Sequence, residues 1–140
     1  MQAIFALSNQ TRLLLNEWRA KSGDAYPEGG LQYTYVEAPG QAHFRLPESG
    51  NASSPSLSID ELSEFGRFFQ TTLEGYCESN PDACYVEMAN QLMKALKSDL
   101  AFTDVQWSFE EGDYDMQVTL KMVSRSDYSY YSLELWWSVD

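Results

Sequence analysis

Positive charge is scarce in this chain: nine Lys and Arg stand against 21 Asp and Glu in 140 residues, a formal net charge of −12. A protein that grips nucleic acid or an anionic bilayer needs a basic stripe, so direct binding to either is not expected. Histidine occurs once, at His43, and cysteine twice, at Cys77 and Cys84, with no CxxC pair. A structural zinc site wants four N or S ligands, so zinc is excluded. No apolar run approaches the roughly 20 residues of a membrane span. Gly29-Gly30 leads into a strand-like run instead of opening a helix, and so lacks the dipole of a phosphate-binding loop. Neither a metal nor a cofactor is expected.

The start, Met1-Gln2-Ala3-Ile4-Phe5, lacks the basic and long apolar regions of a secretory signal, which predicts a cytoplasmic protein. In that compartment the sequons at Asn9 and Asn51 are chance matches. Cys77 and Cys84 are expected there as reduced thiols buried as small hydrophobes. The turn between them could bring the sulfurs together if the backbone cooperated, and spacing does not decide it.

What is present is apolar enough to fold. At 44% hydrophobic and 14% aromatic, the composition is far too rich for a disordered acidic tail. A chain of this length buries about 68% of its unfolded surface, enough for one sizeable core, so residues 1–140 read as a single domain.

Met1 to Ser22 spaces Ile4, Leu7, Leu14, Leu15 and Trp18 at helical intervals, and Gly23 follows as a C′ stop. Leu31 to Val36 and His43 to Leu46 are β-rich runs around a Pro39-Gly40 turn, predicting a hairpin. Ser58-Ile59-Asp60-Glu61 fits a capping box, opening a helix whose apolar face is Ile59, Leu62, Phe65, Phe69, Leu73 and Tyr76. A third helix starts at Asn80-Pro81, with Asn80 as N-cap, and buries Tyr85, Met88, Ala89, Leu92 and Leu96, with Lys94 and Lys97 suiting its C-terminal dipole.

Period-two alternation then runs through Tyr114, Met116, Val118, Leu120 and Met122, and again through Tyr131, Leu133, Leu135, Trp137 and Val139. Val105, Trp107 and Phe109 start the strand before them, with turns at Glu110 to Asp113 and Ser124 to Asp127. The whole predicts an α+β fold. An antiparallel sheet, made of an N-terminal hairpin and a C-terminal three-stranded meander, packs against about three helices.

Catalytic groups are thin. His43 falls on the wet face of a short strand, no local Cys–His pair forms, and the many carboxylates make any single pair a weak signal, so no enzyme is expected. The acids are more telling by position: from Leu46 onward there are 17 of the 21 acids and five of the nine bases. Glu110, Glu111, Asp113 and Asp115 crowd one turn without the spacing of a calcium loop. Alternation sends Tyr128, Tyr130, Glu134 and Trp136 to the wet face, beside Asp115, Gln117, Thr119 and Lys121, unless a helix covers that face as a second core layer. Tyr and Trp beside acids are the chemistry of protein interfaces.

These eight residues, Glu110, Glu111, Asp113, Asp115, Tyr128, Tyr130, Glu134 and Trp136, form the expected partner-binding site. The expected role is that of a small acidic binding protein. It would inhibit a basic, nucleic-acid-acting protein such as a nuclease, toxin or defence complex by covering its phosphate-binding surface, as nucleic-acid mimics do. Toxin-immunity proteins and phage anti-defence inhibitors are physical analogues only, since no motif links this chain to them. The alternative is an assembly or scaffold protein, a homodimer through the C-terminal sheet.

Overall fold

The computed structural model describes residues 7–25, 29–38, 56–73, 77, 80–124 and 129–138. Its elements are α1 (Asn9–Ala25), β1 (Gly30–Ala38), α2 (Ile59–Thr72), α3 (Pro81–Leu100), β2 (Asp104–Glu111), β3 (Asp115–Ser124) and β4 (Ser129–Ser138). The four strands form one antiparallel sheet in the order β1-β4-β3-β2, and the helices pack against it in an α+β arrangement. The C-terminal meander is as the alternation predicted. The partner of β1 among the described residues is β4, in a register that sets Leu31 opposite Trp137. The return limb His43 to Leu46 and the Pro39-Gly40 turn lie outside the described residues.

Alternation explains the layering. Leu31, Val105, Met116, Val118, Leu120, Met122, Leu133, Leu135 and Trp137 share one side of the sheet and join the main core cluster with Leu15 and Trp18 of α1, the α2 phenylalanines and Tyr85, Ala89 and Leu92 of α3. All three helices therefore sit on the same side. Helix α1 packs there too, so it does not form the second layer that was one expectation for the opposite face.

Helix α1 begins at Asn9, after the non-helical Leu7 and Ser8, and the Met1 to Ala6 part of the expected helix lies outside the described residues. Ser8 precedes it, its hydroxyl accepting from Thr11 N at 3.2 Å, while Asp99 of α3 accepts from Ser8 N at 3.0 Å and from the Thr11 hydroxyl at 2.5 Å. A carboxylate at a helix start satisfies orphan donors and complements the dipole. Nor does Gly23 end the helix, which runs on to Ala25. Glycine inside a helix costs only about 1 kcal/mol, so it permits a stop without enforcing one. The close approach here constrains Gly30 instead, which takes φ 97 and where a Cβ would stand 3.3 Å from Gly23 Cα.

Fully buried Ser22 joins three elements. Its hydroxyl donates to Thr72 O at 2.7 Å, at the end of α2, and accepts from Leu31 N at 3.0 Å, at the start of β1. Removing it strands both groups away from water. Ser22→Ala is expected to lower stability by about 2 kcal/mol in urea unfolding; a loss within a few tenths would contradict this role.

The α2 capping box forms as predicted: Glu61 N donates to the Ser58 hydroxyl at 3.1 Å and Ser58 N to Glu61 Oε1 at 2.8 Å. Ile59, expected on the apolar face, is 83% exposed, because the first helical residue precedes the docked stripe; Leu57 is buried instead. Phe68, absent from the predicted face, is also buried, and Tyr76 lies outside the described residues. Gly66 allows α3 to approach closely, since a Cβ there would lie 2.8 Å from Val86 Cγ2.

Helix α3 buries the face predicted for it. Its start differs: Asn80 adopts a left-handed conformation at φ 51, and its side chain makes no capping hydrogen bond. At the far end Lys97 donates to Phe102 O, as its place in the last turn suggested.

Cys77 and Cys84 form a disulfide, which replaces the expected pair of reduced thiols. Their Cα atoms lie 6.0 Å apart, within bridging range. The Tyr85 hydroxyl donates to Leu73 O at 2.7 Å and accepts from Cys77 N at 3.3 Å, hooking the end of α2 to the start of α3.

Candidate functional site

The sheet face turned away from the helices carries Glu110, Asp115, Tyr130, Glu134 and Trp136 of the residues singled out above, and the strand order arranges it in rows. Pairing aligns Glu110, Gln117, Trp136 and Gln32 across all four strands, with Ser108, Thr119, Glu134 and Thr34 in the next row. Asp115 lies opposite Ser138 at the end of the face. Strand spacing and pleat place the carboxylates of Glu110, Asp115 and Glu134 around Trp136 at roughly 7–10 Å between Cβ positions.

Trp136 is 43% exposed, large for a tryptophan on a sheet. It lies with Glu110, Glu111, Asp115, Gln117 and Glu134 along a depression of about 650 Å³. Among the described residues its lining has no His, Cys or Lys, so it offers carboxylates, the Gln117 amide and an indole but no nucleophile paired with a base. An indole plane ringed by carboxylates suits a cationic side chain, through its ring quadrupole and through charge.

The eight predicted residues do not all converge. Glu110, Asp115, Glu134 and Trp136 do, whereas Glu111, opposite core-facing Met116, belongs to the helix side of the sheet and only borders the depression. Glu110 and Glu111 belong to β2, not to the turn, which is Gly112 to Tyr114; its Gly112 N donates to Asp115 O at 2.8 Å. Asp113 is exposed in that turn but lies outside the depression. Tyr114, predicted to point inward, is 71% exposed because the chain leaves the sheet after the last pair, Glu111 with Met116. Tyr130 shares the outer face but sits at its opposite end, only 6% exposed in a small cluster with Ala38 and Val123, so it offers little contact area. Tyr128 lies outside the described residues, as does His43.

Gln117, expected beside this face, and Gln32, which alternation alone did not bring to it, flank Trp136 on the neighbouring strands; the placing of Gln32 depends on the pairing of β1 with β4. On the helix side, the Tyr35 hydroxyl donates to Glu37 Oε1 at 2.5 Å. Burial, reinforced by that carboxylate, holds the phenol far above its ordinary range and keeps it a protonated donor.

Among the described residues no group of three or more His, Cys, Asp and Glu side chains could hold a metal ion. No described helix is long and apolar enough to cross a membrane. Comparison with known proteins finds no family model that matches the chain and no curated protein that matches it.

Proposed function

We propose that this protein is a non-catalytic inhibitor of a basic, nucleic-acid-acting protein, docking through the outer face of its sheet and covering the partner's phosphate-binding surface. The observation that carries the reading is Trp136, exposed among Glu110, Asp115 and Glu134 on a face that no described helix covers. The net charge of −12 supplies long-range steering toward a basic partner, and the indole supplies a rigid apolar anchor. The carboxylates take the place of phosphates, as in nucleic-acid mimicry.

The test is capture at low ionic strength on the immobilised protein, followed by assay of the captured protein's activity on nucleic acid. The expected result is a basic partner that the protein inhibits, with affinity falling steeply as salt rises. Trp136→Ala is expected to weaken binding at least about tenfold, and combined reversal of Glu110, Asp115 and Glu134 to Lys to abolish it. Inhibition unchanged by both variants would sink the assignment of this face. The alternative reading, a homodimeric scaffold, is favoured by the same exposed indole only if light scattering finds a salt-insensitive dimer in which Trp136 fluorescence is shielded.

The compartment bears on which partner is met. Cytoplasmic action, the expectation from residues 1–5, runs against the Cys77–Cys84 bridge, because disulfides persist mainly in oxidising compartments. Thiol titration of the protein taken directly from its cells decides between them.

A further inference from the structure

We infer that the groove between the start of α2 and the C-terminal half of α3 is a binding site for a small anionic amphiphile, of the class of medium-chain acyl carboxylates. It encloses about 500 Å³, within the range of small-ligand pockets. Its floor is apolar. Leu57 and Leu62 hold the N′ and N4 positions of α2, where a hydrophobic staple places its two residues, and Met93 and Phe102 close the other side.

The charge around it is the reverse of the chain's. In a protein with 21 acids and nine bases, the charged residues in this lining, among the described residues, are Lys94 and Lys97. The nearby carboxylates are turned elsewhere: Glu61 folds back to Ser58 N, Asp99 binds Ser8 and Thr11, and Asp60 lines a different depression. Lys97 is held at the rim, donating to Phe102 O with its ammonium 4.7 Å from the centre of the Phe102 ring. Lys94 stands exposed one turn further back, away from the negative end of the α3 dipole, which weakens within the last turn. An anionic head therefore sits at Lys94, with its apolar tail running between Leu57, Met93 and Phe102. This site is on the helix side and independent of the outer sheet face.

The test is an NMR titration of the ¹⁵N-labelled protein with octanoate and, separately, octylammonium, both below micelle formation. The two share a tail, and the net charge favours the cation everywhere else, so preference for the anion must come from this groove. Saturable shifts at Leu62, Met93, Lys94 and Phe102 are expected, with octanoate bound about tenfold more tightly than octylammonium. Lys94→Glu, a surface change that leaves the melting curve intact, is expected to lower octanoate affinity about fivefold or more. Equal affinity for the two heads, shifts confined to the outer sheet face, or an unaltered affinity in Lys94→Glu would overturn the inference. Phosphatidylglycerol vesicles are expected not to sediment the protein; Lys94-dependent sedimentation would make the ligand a membrane surface and overturn the small-ligand assignment.

Discussion

Phe69→Ala is expected to lower the stability of this protein by about 3–5 kcal/mol. For a domain of this size that corresponds to a fall in Tm of roughly 10–20 °C. Phe69 is fully buried, its ring centre 4.8 Å from Phe65 in a stacked pair, 4.9 Å from Trp18 edge-on, and 5.7 Å from Phe68. Phe65 in turn lies 5.1 Å from Trp107 of β2. One ring thus couples α1, α2 and the sheet, and deleting it removes apolar burial, aromatic contacts and leaves a cavity that fixed neighbours cannot fill. Ile59→Ala, on the same helix, is the control: at 83% exposure it is expected to change stability by no more than about 0.5 kcal/mol. The two positions are equally apolar in sequence, so near-equal losses in paired urea melts would contradict the packing described.

Opening the Cys77–Cys84 bridge has the second large effect. The closed loop spans a sequence separation of 7, for which loop-closure entropy in the unfolded chain gives about 2.5 kcal/mol. The replacement Cys77→Ala with Cys84→Ala, or reductant on the native protein, is therefore expected to lower stability by about that amount, without loss of the fold, because the Tyr85 hydroxyl still ties Leu73 to the backbone of Cys77. Melting curves with and without reductant, matched to thiol titration, measure it. An unchanged Tm in fully reduced protein would mean that the Tyr85 hook alone holds the junction of α2 and α3. The same measurement shows how far the protein depends on an oxidising environment, and so bears on where its partner is met.

Much of the local structure was legible. The alternation of Met116 to Met122 and of Leu133 to Trp137 names the buried face of each strand, because successive side chains in a pleated strand must point to opposite sides. The Ser58–Glu61 box and the apolar face of α3 follow from helical geometry in the same way. The departures fall at ends and junctions. Ile59 and Tyr114 keep the parity of their neighbours but lie where the chain enters or leaves an element, and parity says nothing there. Gly23 and Asn80 have the right composition for caps, yet the first is continued through and the second uses its backbone conformation instead of its side chain.

The candidate site divides along the same line. Its acids and its tryptophan, and the side of the sheet on which Asp115, Glu134 and Trp136 stand, were determined by sequence alone, since charge and period two are properties of neighbours along the chain. Which of them meet was decided only by the tertiary structure. The order β1-β4-β3-β2 sets Gln32 and Glu110 in one row with Trp136 and sends Tyr130 to the far, buried end of the face. It is also tertiary packing that turns Asp99 away from the α2–α3 groove and leaves two lysines on its rim. Each of these depends on pairings between segments far apart in sequence, whose stability comes from the common core they bury and not from any local pattern.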